Sequence, residues 1–324
     1  MTASGARVTV LCGGVGAARF LRGLLDVVDE SSVCAVVNVG DDAVMHGLHV
    51  SPDIDTILYT LAGAIDPDRG WGLAGETWSA MEGLARYGNP TWFNLGDRDL
   101  ATHIVRTERL AAGEALHQVT DHLRASWDLR LHVLPVTDDP VRTRVTVIDT
   151  AHGAPPAEID FQEYFVGRQH DVPVSAVRFA GAEAARPAPG VIDAIARADR
   201  VVIAPSNPLV SIDPVLAVPG VRDALVDRRA DVVAISPIVG GDALKGPAAR
   251  MLRELGHEAS AAGVAAHYRT VAGTMVIDTV DAALADPIAA LGVVPVVTDT
   301  IMRDPATSAA LARTVLDAER SDHR

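Results

Sequence analysis

Val36-Val37-Asn38-Val39-Gly40-Asp41-Asp42, then His46-Gly47-Leu48 and Ser51-Pro52-Asp53-Ile54-Asp55-Thr56, sets the reading of the whole chain. The stretch begins as a β-branched run. It ends in a Ser-Pro helix start that leads into apolar Ile54, Ile57, Leu58 and Leu61. Strand, loop and helix in that order form the unit of an open α/β sheet, whose ligands bind beyond the carboxyl ends of the strands. Asp41, Asp42, Asp53 and Asp55 all fall just past such an end. Oxygen ligands shared between a loop and a helix suit a hard cation such as Mg²⁺, which in turn holds substrate phosphate. The plainer alternative is two turn aspartates and a helix N-cap.

Upstream, Arg7 to Cys12 reads as a buried strand. Gly13-Gly14-Val15-Gly16 then turns into the helical pattern Phe20, Leu21, Leu24, Leu25 and Val28. Glycines let the backbone approach an anion, and the free N–H groups and dipole of a helix start favour negative charge there. Gly13, Gly14 and Gly16 are therefore candidate phosphate binders, with a ligand-free tight turn as the alternative. A dinucleotide fingerprint would need a third glycine where Arg19 stands, and an acid where the second strand ends in Asn38, so NAD is disfavoured.

Downstream, residues 66–128 differ from the rest. All four tryptophans lie here, Trp71, Trp78, Trp92 and Trp127, in a chain with only 4% aromatic residues. Helical patterns over 76–86, 98–110 and 114–127 predict a mainly helical insertion packed over the ligand edge, its rings mostly core. Trp92-Phe93-Asn94-Leu95-Gly96-Asp97-Arg98-Asp99 is a loop with aromatic, amide and charged groups around a glycine. It reads either as ligand contact or as helix capping by Asp97.

Beyond it, strands are expected over 130–134, 141–149 and 172–179, and Phe161 to Val166 packs against the body. Thr137-Asp138-Asp139-Pro140 is a strong turn signal. Arg200 to Ala204 is an apolar strand followed by Pro205-Ser206-Asn207-Pro208, where Ser206 and Asn207 could hold phosphate or sugar or simply form the turn. Asp231 to Ser236 is a third such strand. Its loop, Pro237-Ile238-Val239-Gly240-Gly241, delivers Lys245. All 28 basic residues except Lys245 are arginine. A compact ammonium and a planar guanidinium are not interchangeable at a phosphate, so the surviving lysine points to function; a solvated loop lysine is the alternative. Strands at 274–278 and 293–297 and an Ala-rich helix over 305–319 complete the pattern.

Composition narrows the classes. With 324 residues, 48% of them hydrophobic, the chain can bury a large core. A net charge of −14 without a basic face argues against nucleic acid and anionic membranes as partners. No apolar run approaches the roughly 20 residues of a membrane span. Cys12 and Cys34 lie in expected strands and no basic-then-apolar leader opens the chain, so the expected setting is cytoplasmic. None of the 11 histidines has metal-ligand spacing, and there is no nucleophile elbow or Walker A motif. What remains is a site of N–H-rich loops, carboxylates and one lysine, suited to a phosphorylated or diphosphate substrate.

These motifs together resemble the 2-phospho-L-lactate transferase (CofD-like) family, and more closely its actinobacterial branch. The matching stretches are the glycine turn, Asn38 to Asp42, Ser51 to Thr56, Leu95 to His103, Thr137 to Asp139, Phe161 to Phe165, Ala204 to Pro208 and Ser236 through Pro247. One departure is Asp213, where the family often carries glycine. The resemblance implies a Rossmann-like open, mostly parallel α/β sheet with helices on both faces. The core would be 1–65 and 129–324, with 66–128 as a cap over the acceptor. It implies a coenzyme F-420 enzyme that moves a phosphoenolpyruvyl or 2-phospholactyl group from a guanosine diphosphate-linked acid to a deazaflavin, with Mg²⁺; a homodimer is expected separately, because dimers are common among soluble enzymes of this size. On that reading Asp42, Asp55 and Lys245 are catalytic and Asp42 and Asp55 hold the metal. Gly13, Gly14, Gly16, Ser206, Asn207, Gly240 and Gly241 bind the nucleotide, and Asp41, Trp92, Asn94, Asp97 and Arg98 bind the deazaflavin. A sugar-nucleotide-binding regulator of related fold, without turnover, is the competing expectation.

Overall fold

The computed structural model describes residues 6–148 and 155–319. Seven strands form the main sheet: β1 (Val8–Cys12), β2 (Val33–Val37), β3 (His132–Pro135), β4 (Arg200–Ile203), β5 (Val232–Ile235), β6 (Thr274–Asp278) and β7 (Val294–Thr298). β1, β4, β5 and β6 are buried along their whole length. Such continuous apolar, β-branched runs belong to strands covered on both faces, which is why they form a parallel sheet. All neighbours pair in parallel, in the order β7-β6-β5-β4-β1-β2-β3. The chain works outward from β1 in one direction to β3, then returns to the other side of β1 with β4. The order reverses between β1 and β4, and that crevice is where a doubly wound sheet receives its ligand.

Helix α1 (Gly14–Leu25) follows β1 and packs against the C-terminal helix Pro305–Asp317 and against α2 (Pro52–Leu61). α2 is buried on nearly every side, Asp53, Asp55 and Thr56 included. Between α2 and β3 lie α3 (Ser79–Arg86), α4 (Asp99–Ala111) and α5 (Leu116–Ser126). They occupy residues 66–128, but they do not form an independent core. Leu116, Val119 and Leu123 of α5 join the main core, whereas Met81 of α3 packs with Leu95 and Val50 in a small separate cluster. Trp71 and Trp92 are about two-fifths exposed rather than core. Trp71 shares the Arg69 guanidinium with Trp78, the cation lying 5.3 and 5.1 Å from the two ring centres.

Two features were not expected from the sequence. A hairpin, Ala43–Met45 with Leu48–Val50, intervenes between the two acidic pairs, its strands too short to show a period of two. The strands Arg142–Val147, Ala157–Asp160 and Val174–Ala180 form a separate antiparallel sheet, so the fold is not a single sheet. Asp149, at the end of the strand expected over 141–149, lies outside the described residues. Cys12 and Cys34 are free thiols. Among the described residues no helix is long and apolar enough to cross a membrane.

Candidate functional site

A cavity of about 680 Å³ opens at the β1–β4 crevice, within the size range of ligand pockets. Its floor is made where two strand loops interlock. Ser206 Oγ, after β4, donates to the Gly13 carbonyl after β1 at 2.8 Å. A Cβ on Gly16 would sit 2.3 Å from the Pro205 carbonyl oxygen, and one on Gly13 2.5 Å from Asp53 Oδ2, so any side chain would force these loops apart. Gly13 is the N-cap of α1 with no side-chain bond to the helix, and the first turn carries no acid. That helix start lines the cavity with the Asp53 carboxylate accepting from Gly14 N, and Arg19, also at the cavity wall, adds a cation beside it.

Asn38, at the end of β2 and wholly buried, binds the loops together. Its amide donates to Asp53 Oδ2 at 2.9 Å and to the Val210 carbonyl at 3.3 Å, and its oxygen accepts from Gly40 N at 2.8 Å. An acid in its place would add a charge beside Asp53 and could not donate. In the sequence Asn38 counts against NAD and opens a family-like stretch, but nothing there shows this bridging part.

The four aspartates divide into unlike settings. Asp41 and Asp53 both line the cavity and lie close enough to interact. Burial, then the Asp53 charge, pushes the Asp41 carboxyl well above its usual range, and its Oδ1 is buried with no hydrogen-bond partner. Burial also raises Asp53, to about 6, although Asn38 and the Gly14 backbone favour its charge. Asp42 turns away. It lines a neighbouring cavity of about 380 Å³ with Trp92 and Arg142, accepts from Ser51 Oγ at 2.8 Å, and is pushed by burial up to about 7. Asp55 lines the main cavity, yet its charge is already answered by Arg106, which grips both carboxylate oxygens from behind.

A fit to a hard cation follows from these settings. Asp42 Oδ1 is orphaned as well, but only Asp41 and Asp53 join two buried, mutually repelling carboxylates at the main cavity, a pair that would fit a divalent ion such as Mg²⁺. Among the described residues no cluster of three or more acidic, histidine or cysteine groups would enclose a metal alone. Mg²⁺ commonly takes one or two carboxylates and completes its shell with water and phosphate.

The remaining candidates separate clearly. Gly14, Ser206, Asn207, Asn94 and Lys245 reach the main cavity with Gly13 and Gly16. Among the described residues no carboxylate lies within ion-pair distance of Lys245; its Nζ stands 3.7 Å from where a Cβ on Gly70 would be, so it faces the insertion across the cavity mouth. Asn207 also accepts from Leu209 N at 3.0 Å, capping the turn that follows. Gly240 and Gly241 do not line the cavity. Both have positive φ, and they turn the hairpin that carries Lys245.

Asp97 and Arg98 also stay outside the cavity. Asp97 accepts from Ser79 N and Ala80 N, both at 2.9 Å, and so caps α3. Glu76 returns the service to α4, accepting from Arg98 N at 2.7 Å and Asp99 N at 2.9 Å, while the Arg98 guanidinium holds the Ala74 carbonyl. Rings that do line the cavity include Tyr59, Trp71, Phe93, Phe161 and Phe165, the last two stacked at 5.5 Å. Asp138 is tied to His117 and Asp139 to Arg186, both structural contacts.

Residues 8–315 match the family model described as 2-phospho-L-lactate transferase CofD. A phosphoenolpyruvate transferase of Nocardia farcinica is 45% identical over 97% of this chain and 95% of its own length. Proteins of the same name from Streptomyces coelicolor and Mycolicibacterium smegmatis are 45% and 44% identical over 96% of this chain, covering 97% and 98% of themselves. Among solved structures, a UPF0052-family protein of Bacillus halodurans shares the fold at TM-score 0.61 and 17% identity, covering 96% of this chain and 99% of its own.

Proposed function

Because the chain belongs to the CofD family of 2-phospho-L-lactate transferases, we propose that it serves coenzyme F-420 biosynthesis. It would move a phosphoenolpyruvyl or 2-phospholactyl group from a guanosine diphosphate-linked three-carbon acid to the ribityl hydroxyl of 7,8-didemethyl-8-hydroxy-5-deazariboflavin. The actinobacterial relatives named phosphoenolpyruvate transferase favour the enolpyruvyl donor. The observation that carries the reading is the crevice between β1 and β4. There a helix start, two cations and a repelling aspartate pair share a cavity with several aromatic rings.

On this reading the donor's diphosphate lies over the α1 start, with Lys245 and Arg19 meeting its charge. The deazaflavin rings lie against Trp71, Phe93 and the Phe161–Phe165 stack. In the transfer the hydroxyl oxygen bonds to the phosphorus that bears the three-carbon acid. The phosphoanhydride bond breaks, GMP leaves with the bridging oxygen, and the hydroxyl proton passes to a cavity carboxylate. Catalysis of this kind is mainly positioning and charge neutralisation. Mg²⁺ on Asp41 and Asp53 would supply a positive charge to the diphosphate oxygens. Asp55, held from behind by Arg106, offers the hydroxyl a fixed hydrogen-bond acceptor.

The test is to incubate the protein with Mg²⁺, the deazaflavin and each guanylylated acid in parallel. GMP and a phosphodiester-linked deazaflavin are expected by mass spectrometry, faster with the enolpyruvyl donor. Absence of product with both donors would overturn the transferase reading for these substrates.

A further inference from the structure

Helix α4 buries a stripe that its sequence paints as surface. Asp99, His103 and Arg106, at i, i+4 and i+7, face inward, and Arg106 and His103 are 0% and 1% exposed. Arg106 NH1 is 3.1 Å from Asp55 Oδ2, its NH2 binds Asp55 Oδ1, and NH1 also lies 3.2 Å from His103 Nδ1. A guanidinium only donates, so Nδ1 is the acceptor and the ring proton of neutral His103 sits on Nε2. That nitrogen is 3.2 Å from Asp99 Oδ2, and Asp99 Oδ1 accepts from Tyr59 OH at 2.5 Å. Asp55, Tyr59, Asp99 and His103 reach the cavity wall, while Arg106 stands wholly behind it.

A buried ion pair contributes little stability over well-packed apolar side chains, and α5 docks with Leu116, Val119 and Leu123 instead. The charged stripe thus has a purpose beyond attachment. We propose that Arg106 and His103 are positioning residues for the transfer. They clamp Asp55 against the cavity wall so that its cavity-lining edge meets the acceptor hydroxyl in one fixed geometry. The proposal rests on the transferase reading above. It adds that the insertion, through α4, sets the geometry of a carboxylate carried by the sheet core. A shift of about 1 Å in such a group can cost on the order of 10²-fold in rate.

The test is steady-state kinetics of the full-length protein with Mg²⁺ and both substrates, alongside GDP affinity and thermal melting. Arg106→Lys keeps the charge and loses the two-pronged grip. It should lower kcat at least tenfold while donor KM and GDP affinity stay within threefold. His103→Asn places an amide oxygen near the Nδ1 position and keeps the acceptor for Arg106, whereas His103→Gln places a donor toward Asp99 and loses that acceptor. The Asn variant should therefore retain more kcat than the Gln variant, a ranking that a purely structural role would not produce if both melt alike. Unchanged kcat in Arg106→Lys, or a Gln variant as active as the Asn variant, overturns the proposal. If Arg106→Lys fails to fold, the histidine pair decides alone. If wild-type protein forms no product with either donor, the transferase reading fails, and the clamp is judged by deazaflavin fluorescence. Weakening of deazaflavin binding by fivefold or more in His103→Gln but not in His103→Asn upholds the clamp, and equal binding rejects it.

Discussion

The sheet core and the helical insertion meet at one cavity but are held by opposite means. In the core, β1, β4, β5 and β6 are buried throughout and the aspartates at the strand ends are left short of cations. In the insertion, α4 turns Asp99, His103 and Arg106 inward and gives each a polar partner. Burial pushes Asp99 up, but His103, Tyr59 and Arg106 outweigh it and hold its carboxyl below the usual range. Arg106 likewise keeps its proton more firmly than an ordinary arginine: burial opposes the charge, and Asp55 more than compensates. The difference teaches that a surplus of negative charge is concentrated on the core side, where a cation and a phosphate are to be received. The insertion brings a cation, Arg106, to Asp55 of that side.

The comparison breaks most visibly at Arg106. Arg106→Met should destabilise the fold by about 3–5 kcal/mol, since it leaves Asp55 charged and buried, and chemical denaturation measures this directly. A loss below 1 kcal/mol would show that the insertion does not depend on charge matching. On the core side the sign reverses. Asp42, Asp53 and Asp41 have folded pKa values raised above their unfolded ones, so their protonated forms favour the fold. Between about pH 4 and pH 7 the unfolded chain releases protons that the folded chain keeps, and metal-free stability falls as pH rises through that window. Asp41→Asn should therefore raise the melting temperature of the metal-free protein at pH 8 more than at pH 5, while product formation is lost. An equal shift at both pH values would remove the charge surplus from the account.

Smaller effects sharpen the boundary. Lys245→Arg should slow turnover, the bulkier guanidinium crowding Gly70 across the cavity mouth, while the fold stays intact. Unchanged kinetics would return Lys245 to the solvated loop. Asp97→Ala should lower the melting temperature slightly through loss of the α3 cap and leave kcat unchanged, because its carboxylate is spent on backbone N–H groups outside the cavity. A large drop in kcat with normal melting would bring Asp97 back to the ligand.

The same division explains what was legible in the sequence. The strands of a parallel sheet are continuous apolar runs, so β1, β4, β5 and β6 stand out at almost their observed bounds, and the glycine and Ser-Asn loops follow from their positions. Helices α3 to α5 were visible by period. Their inner surface was not, because the periodic rule assigns Asp99, His103 and Arg106 to solvent and only tertiary pairing buries them. Nor could the sequence show that Asp41 goes with Asp53 while Asp42 faces a second cavity and Asp55 meets an arginine 51 positions away. Neighbours in sequence share a residue type; the hairpin Ala43–Val50 and the turn of α2 send them to different walls. The Leu95 to His103 stretch was recognised as a unit, but its carboxylates divide their work. Asp97 caps one helix and Asp99 supports the cavity wall.

Lys245 carries one last consequence. In a chain whose other basic side chains are all arginine, it is the sole ε-amine, and it stands at the cavity mouth. Reagents that acylate side-chain amines thus have a single address on the folded surface, placed where substrate enters. A fluorophore attached there would report each ligand's arrival and departure, and an acylating substrate analogue would carry its label to one known atom.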